Sequence, residues 1–416
     1  PIYYLSTLAL PVRLLLFAFV EHQAKNKSTS PSTMLGLASQ IEAVASSPPI
    51  DAGERRALYD AAKKLLNVTE DPFDTIYRVN NSPMILTFSH IACELGIFNS
   101  LANSTVPITT TTLAQSSKAD PLLLSRILRF LASHDLIMEA SENSYAATTI
   151  TRTLSRPGFK AGIAHSFMAI MPCLLAAPQF LADTKYANPD DLVHSPFQAA
   201  HNTKEPAFAW AMGQPRIMDD FNLWMSELHD GRKSWLDVFD FAEHAPNSSA
   251  DTLLFVDIGG GIGQQCALLK DVHPKLLGRV VLQDQPFVIP QAIPVEGVEK
   301  QSYDIWTEQP LKGAKVYYLR NILHDYPDEK CITIIQNTLP AMSSESVLVI
   351  DEIIIPNKGA HSRSTEIDMT MMVCFASTER TEKQWNRLLD NAGLKVLSKN
   401  VYNDATGQSA IIAVPE

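Results

Sequence analysis

One histidine and two glutamates in this sequence have the chemistry of a proton-transfer site. His324 follows an apolar run, Glu352 follows the next apolar run, and Glu379 precedes a helical pattern. An imidazole with a pKa of about 6.5 can accept a proton, and a carboxylate behind the ring can orient it and stabilise the imidazolium. We therefore predict that His324 is a general base supported by Glu352 or Glu379. The alternative is structural: a core histidine beside a solvated acid and an ordinary helix start.

A glycine-rich turn indicates a second kind of chemistry, the binding of a nucleotide-like cofactor. The apolar segment Leu253–Ile258 runs into Gly259-Gly-Gly-Ile-Gly263, where Gly259 and Gly261 can bring backbone N–H groups close to a ligand. The spacing is neither Gly-x-Gly-x-x-Gly nor a triphosphate-binding Gly-Lys-Ser/Thr, which weakens the nicotinamide and ATP interpretations. A plain strand-to-helix turn is the alternative.

An acidic residue ends the second apolar run after the glycines. Asp284 closes Arg279-Val-Val-Leu-Gln-Asp284, and an acid about 20 residues beyond such a turn accepts hydrogen bonds from ribose hydroxyls in nicotinamide and adenosyl sites alike. We expect Asp284 to serve a cofactor in this way, with a solvated strand-end aspartate as the alternative.

The elements that would position these residues alternate from residue 252 onward. Apolar strand patterns lie at 253–258, 280–283, 315–319, 346–350, 396–397 and 410–414, with helical patterns between them. This order predicts a doubly wound, Rossmann-like α/β domain with a parallel core. Ligands of such sheets bind at the carboxyl ends of the strands, which is where the glycine turn and His324 are expected.

The chain before this domain indicates a helical region that ends in a winged helix. Two short helices are followed by a hairpin pattern over Leu136–Ala147, but the second helix carries only Arg126 and Arg129 as basic residues. A formal net charge of −11 also argues against a nucleic-acid partner. The apolar character of Met84–Leu101 favours dimerisation instead, so we expect a homodimer.

We predict four segments along the chain. They are an apolar leader or poorly ordered segment at 1–33, a helical winged-helix dimerisation domain at 34–155, a helical substrate-pocket linker at 156–245 and a cofactor-binding catalytic domain at 246–416. Pro11 and Arg13 interrupt the leader, so a membrane anchor is not favoured. The five cysteines are scattered, without Cys-x-x-Cys pairing, so we expect a cytoplasmic protein without a disulfide framework or a zinc site.

Three motifs resemble those of S-adenosylmethionine-dependent O-methyltransferases of the plant caffeate and flavonoid type, in their fungal secondary-metabolism branch. The motifs are Asp257-Ile-Gly-Gly-Gly-Ile-Gly263, Leu323-His-Asp-Tyr-Pro-Asp-Glu329 and Glu379-Arg-Thr381, and the resemblance covers roughly residues 70 to 416. It implies S-adenosylmethionine as cofactor, His324 as general base flanked by Glu352 and Glu379, and no metal. The cofactor-binding positions that it implies are Gly259, Gly261, Asp284, Asp304 and Arg320.

Two positions near the cofactor depart from the family pattern. Arg320 stands where the plant enzymes commonly have lysine, and Ile305 stands where a methionine is frequent on the adenine side. The second departure should affect the affinity for the cofactor more than the chemistry.

The same resemblance extends to fungal pericyclases of the leporin type, which keep the cofactor but transfer no methyl group. That group replaces the base with arginine or lysine, whereas this chain retains His324 with both glutamates, which favours methyl transfer. Flexible methionines and aromatic rings of the helical region suit an apolar acceptor pocket. The predicted pocket residues are Phe73, His165, Phe167, Met168, Phe221, Met225, Asp325 and Met371.

Three functions follow from these patterns. The first is methyl transfer to a phenol, enol or hydroxypyridone-like metabolite. The second is a dehydration, cycloaddition or ene reaction with the sulfonium as electrostatic catalyst. The third, a non-catalytic DNA-binding protein, is disfavoured by the net charge of −11.

Overall fold

The computed structural model describes residues 31–47, 51–227, 233–246, 248–404 and 406–416. The chain divides into two compact units, at Pro83 and Met84. The predicted leader at 1–33 lies outside the described residues, apart from 31–33 at the start of the first helix.

The first unit contains the two helices that the sequence predicted around the Pro-Pro break. Helix α1 is Pro31–Ser46, α2 is Ala52–Thr69, and α3, Pro72–Glu94, begins in this unit. Asp51 caps α2 by accepting a hydrogen bond from the Glu54 backbone N–H at 2.8 Å, as expected of a short polar side chain at a helix start.

The second unit begins with the predicted winged helix. Its elements are α4 (Ile97–Ala102), β1 (Ile108–Thr109), α5 (Thr110–Ser117), α6 (Pro121–Ser133), β2 (Met138–Ser141), β3 (Ser144–Ala146) and α7 (Thr149–Leu154). The strands form a small antiparallel sheet in the order β1-β3-β2. Asp120 caps α6 ahead of Pro121, and Leu124, Leu128 and Tyr145 lie in its buried core.

A layer of helices connects the winged helix to the sheet domain. It comprises α8 (Pro157–His165), a π-helical turn (Ser166–Ile170), α9 (Met171–Asp183), α10 (Pro196–His201), α11 (Ala207–Met212), α12 (Pro215–Glu227) and α13 (Phe241–His244). Within the described residues, one continuous helical stretch, Pro157–Asp183, is long and apolar enough to cross a membrane by length and composition. The core helix of a soluble protein meets the same criterion, so one such helix is weak evidence for a membrane span.

The sheet domain has the predicted doubly wound architecture. Its elements are β4 (Leu253–Ile258), α14 (Gln264–Val272), β5 (Arg279–Asp284), β6 (Val298–Ser302), β7 (Val316–Arg320), α15 (Asp328–Thr338), β8 (Val347–Ile355), α16 (Ser362–Phe375), β9 (Arg380–Thr381), α17 (Glu382–Asn391), β10 (Leu394–Asn403) and β11 (Gln408–Pro415). The strand order is β10-β11-β8-β7-β4-β5-β6, with β9 beside β8. Strands β4 to β8 are parallel, and β10 and β11 add an antiparallel edge.

Two strands differ from the sequence-based expectation. Strand β6 was not predicted, because its sequence Val-Glu-Lys-Gln-Ser is polar and it forms the edge of the sheet. Strand β10 was predicted at 396–397 but spans Leu394–Asn403, with register irregularities that break the period-2 pattern. The carboxyl ends of β4, β5, β7 and β8 nevertheless meet at one edge, where the candidate site lies.

Candidate active site

The glycine turn after β4 has the open backbone of a cofactor cradle. Gly259 and Gly261 have φ values of +69° and +60°, a left-handed conformation that side chains with a Cβ adopt at a cost. A Cβ on Gly259 would lie 2.6 Å from Ile322 Cδ1, whereas one on Gly261 would meet only Gln264 Oε1, at 3.6 Å, among described atoms within 4 Å. Gly259 therefore fits against the loop before His324, and Gly261 leaves room for a ligand.

Asp284 lies at the end of β5 and closes this turn. Its Oδ2 accepts the Gly261 N–H at 2.7 Å and its Oδ1 accepts the Gln285 N–H at 2.7 Å. Burial raises the pKa of Asp284, and these two backbone hydrogen bonds oppose the rise. A carboxylate has about four lone-pair sites, so about two remain for ribose hydroxyls. Asp304 follows the neighbouring strand β6 and is exposed, with its Oδ1 accepting the Trp306 N–H at 3.1 Å.

Arg320 ends β7 beside this turn, and its guanidinium is bound to a buried network. Asp351, directly across on β8, forms a short ion pair with it. The Tyr402 hydroxyl accepts a hydrogen bond from Arg320 Nη1 at 3.0 Å, and Asp351 also accepts the Tyr318 hydroxyl at 2.6 Å. Arg320 Nε is buried and has no hydrogen-bond partner among the described residues.

His324 lies in a 3₁₀ turn, Leu323–Asp325, just beyond β7. Its Nδ1 contacts Glu379 Oε1 at 2.7 Å. Because an ionised carboxylate only accepts hydrogen bonds, Nδ1 carries the proton and Nε2 is the nitrogen that can exchange one with a substrate. The side chain is 12% exposed, so the ring is nearly enclosed.

Glu352 and Asp351 are neighbours on β8 and point to opposite faces, as strand geometry requires. Glu352 Oε1 accepts the backbone N–H groups of Ile322 and Leu323 at 2.9 and 2.8 Å. Its Oε2 lies 3.9 Å from His324 Nδ1 and has no hydrogen-bond partner in the described part of the chain. Glu352 therefore holds the backbone of the turn and adds negative charge behind the ring.

Three carboxylates determine the pKa of the ring. Burial alone would lower the pKa of His324, but the charges of Glu352, Glu379 and Asp325 outweigh burial and raise it to about 10. Burial raises the pKa of Glu352 to about 7 and that of Asp325 to about 6, although the charge of His324 opposes both rises. The ring is thus a strong base that is protonated at neutral pH in the free protein.

Asp325 lies on the other side of the ring, at the edge of an apolar cavity. Its Oδ1 is 3.5 Å from His324 Nε2. The cavity, of about 60 Å³, is lined by Leu192, Pro206, Ala207, Phe208, Asp325, Tyr326 and Phe375. A row of aromatic rings leads away from it: Phe375 to Phe208 at 5.2 Å, Phe208 to Phe221 at 5.7 Å, and Phe221 to His165 at 5.5 Å between ring centroids.

The predicted pocket residues are distributed unevenly around this cavity. His165 and Phe221 belong to the aromatic row, and burial lowers the pKa of His165 to about 4, so its ring is neutral. Phe167 instead stacks on His90, with ring centroids 4.5 Å apart. The three predicted pocket methionines differ in burial: Met371 is buried, Met225 is half-buried and Met168 is 43% exposed.

Phe73 lies on α3 before Met84, in the other compact unit, and its side chain is 72% exposed. Sequence reasoning did not assign Phe208, Tyr326 or Phe375 to the cavity. Tyr326 directly follows the His-Asp pair, and this adjacency was the available signal. The positions of Phe208 and Phe375 depend on how distant helices pack, which no local pattern records.

The side chains of His324, Glu352 and Glu379 also have the types that bind metal ions. Their candidate ligand atoms lie within 4.8 Å of one another. Glu352 Oε1 accepts two backbone N–H groups and His324 Nδ1 donates to Glu379 Oε1, whereas the Oε2 atoms of the two glutamates have no hydrogen-bond partner among the described residues. These contacts fit a hydrogen-bonded base better than a ligand set.

Comparison with known proteins identifies the family. A model of the O-methyltransferase domain matches residues 195–395, and a model of the O-methyltransferase dimerisation domain matches residues 82–157. The O-methyltransferase ucdC of Aspergillus ustus is 36% identical over 361 residues, which cover 87% of this chain and 94% of the relative. The chain belongs to the O-methyltransferase family. The dimerisation-domain match also supports a homodimer.

Solved structures similar to this chain include a pericyclic reaction enzyme and a complex with the cofactor. One described as a pericyclic reaction enzyme has a TM-score of 0.85 and 35% identity, covering 93% of this chain and all of that one. LepI in complex with SAM has the same TM-score and coverage at 34% identity. Proteins similar to this chain therefore include one named as an O-methyltransferase and one described as a pericyclic reaction enzyme.

Proposed function

We propose that this protein is an S-adenosylmethionine-dependent O-methyltransferase that acts on a hydroxyl group of a small fungal secondary metabolite. The observation that carries the proposal is the geometry of His324: Nδ1 is held by Glu379 at 2.7 Å, while Nε2 lies 3.5 Å from Asp325, a residue that lines the cavity. A phenol, an enol or a hydroxypyridone is the acceptor class that such a base suits. The free, buried cysteines are in keeping with a cytoplasmic location.

The residues of the glycine turn fit the cofactor. Gly261 offers room for a ligand, and Asp284 retains acceptor capacity for a ribose diol. When bound, S-adenosylmethionine supplies an electrophilic methyl group on a positively charged sulfur. The Arg320 guanidinium is a candidate donor to its carboxylate, and Asp304 is a candidate partner on the adenosine side.

His324 removes the acceptor's proton as the new O–C bond forms and the S–C bond breaks. The proton moves to Nε2, and the resulting imidazolium is stabilised by Glu379 and Glu352. A phenol has a pKa of about 10 by analogy with tyrosine, and the three carboxylates raise the pKa of His324 to about 10. Proton transfer between groups of matched pKa has little thermodynamic cost, but only the neutral ring can accept the proton, so the base form of His324 becomes more populated as the pH rises toward 10.

A panel of phenol, enol and hydroxypyridone acceptors tests the proposal with methyl-labelled cofactor. We expect labelled ether product and one S-adenosylhomocysteine per product. His324→Ala should reduce turnover by about 10²- to 10⁴-fold, the usual contribution of a general base to the rate. The cofactor affinity of this variant, measured by calorimetry, should stay within a few-fold of the wild-type value. Unchanged turnover in that variant would remove His324 from the mechanism.

A pericyclase without methyl transfer is the second candidate. Two observations favour it: the similarity to the solved pericyclic reaction enzyme, and a His324 that is protonated at neutral pH and able to donate a hydrogen bond to a substrate carbonyl. This function predicts a cyclised or dehydrated product with an unchanged methyl count. Its rate should fall as pH rises through the pKa of His324, the opposite of base catalysis. Stoichiometric S-adenosylhomocysteine would argue against it.

A further inference from the structure

Arg380 is a buried charged residue next to Glu379. It is 1% exposed, although arginine is almost never fully buried unless its charge and its donors are paired. Its backbone belongs to the short strand β9, where Arg380 lies opposite Ile354 of β8. The backbone of Arg380 is thus paired with the same strand that carries Glu352.

The guanidinium donates to three oxygen atoms around the His324 turn. Nη1 binds the Leu323 carbonyl at 2.8 Å, and Nη2 binds the Tyr326 carbonyl at 2.8 Å. Nε binds Asp328 Oδ1 at 2.9 Å. The two carbonyl groups flank the pair His324-Asp325.

The turn is therefore held from both sides. Glu352 accepts hydrogen bonds from the backbone N–H groups of Ile322 and Leu323, at the start of the turn. Arg380 donates to the backbone carbonyl groups on either side of the His324-Asp325 pair. Glu379, the residue before Arg380, fixes the ring itself at Nδ1. Consecutive residues thus hold the ring and the backbone that carries it.

We propose that Arg380 is a positioning residue for His324: its guanidinium fixes the backbone turn that places Nε2 against the acceptor. The proposal rests on the proposed role of His324 as proton carrier. A planar guanidinium directs several N–H groups in fixed directions, whereas an ammonium is a single compact charge that cannot reproduce this geometry. Because a misplacement of about 1 Å costs about 10²-fold in rate, the shape of Arg380 should affect catalysis as well as its charge.

Arg380→Lys tests the proposal, with Arg387→Lys as the matched control. Arg387 contacts the other oxygen of Asp328 at 3.4 Å and is 65% exposed, and among its described contacts it makes none with the turn carbonyls. In Arg380→Lys we expect kcat to fall by about 10- to 100-fold, with the Km for cofactor changed less than threefold. Arg387→Lys should change neither quantity.

Histidine-selective ¹⁵N NMR titration gives a readout that is independent of turnover. In Arg380→Lys the ring should lie less firmly against Glu379, so the measured pKa of His324 should move down toward its ordinary value, with no such shift in Arg387→Lys. If Arg380→Lys does not fold, Asp328→Asn weakens the Nε contact and leaves the guanidinium in place, and we expect the same changes at smaller amplitude.

A folded Arg380→Lys enzyme with wild-type kcat and an unshifted His324 pKa would overturn the proposal. So would equal effects of the Arg380 and Arg387 substitutions. Failure of the proposed function is distinguishable, because it would appear as turnover that survives His324→Ala while the NMR shift in Arg380→Lys persists.

Discussion

His324 is surrounded by three carboxylates, and their charges set the pH at which its ring can act as a base. Base catalysis requires the neutral ring, whose fraction increases with pH up to a pKa of about 10. We therefore expect kcat/Km for methyl transfer to rise from pH 6 toward pH 10. An acceptor whose own pKa lies well above this range keeps its proton throughout, so the titration seen with it belongs to the enzyme.

Glu379→Gln should move this profile to lower pH. The substitution removes a negative charge that raises the pKa of His324 and replaces a charged acceptor at Nδ1 with a neutral one, so the midpoint should fall by roughly 1 to 3 units. Glu382→Gln is the control, since Glu382 is exposed and pairs with Lys399. A pH profile that is identical in Glu379→Gln and wild type would contradict the charge argument.

Removal of metal ions should leave methyl transfer intact. His324 Nδ1 already donates to Glu379 Oε1 and Glu352 Oε1 accepts a backbone N–H group, and the proposed reaction uses His324 as a proton carrier rather than as a metal ligand. Dialysis against a chelator, with residual metal measured by mass spectrometry, checks this expectation. Activity that is lost on chelation and restored by one divalent ion would show that the cluster is a metal site.

At the scale of elements, the glycine turn after β4 is the part of the sheet domain that we propose binds the cofactor. Gly261→Ala should weaken S-adenosylhomocysteine binding by about tenfold or more, because the new Cβ points into the space left for the ligand. Gly313→Ala is the control: it also has positive φ and no described atom within 4 Å of the new Cβ. Both substitutions impose a left-handed backbone cost of about 1–2 kcal/mol, but only the first should change the affinity measured by calorimetry.

The elements also show what the sequence can predict. Apolar runs located β4, β5, β7 and β8, and sheet topology then brought His324, Glu352 and Glu379 to one edge. Strand β6 was missed because an edge strand has no apolar pattern to detect. Arg380 lies inside the Glu379-Arg-Thr381 motif, but its role was not predicted, since arginine ordinarily lies on surfaces and its burial depends on carbonyl groups more than 50 residues away in the chain.

At the scale of the whole molecule, the dimerisation-domain match covers residues that expose apolar side chains. Val106, Leu122 and Leu123 are 66%, 71% and 49% exposed in the single chain, and residues 82–157 match the dimerisation domain. Large exposed apolar side chains grouped in one domain are typical of surfaces that another protein covers. We expect a second copy of this chain to cover part of this domain.

Sedimentation equilibrium should accordingly give a mass of about twice 45.9 kDa at micromolar concentration. Leu122→Glu places a charge at the most exposed of these positions, and it should shift the equilibrium toward monomer if this position is covered in the dimer. Lys118→Glu serves as the control for a change of charge in the same domain without loss of apolar surface. A wild-type protein that sediments as a monomer would contradict the prediction, because the exposed leucines would then remain in water.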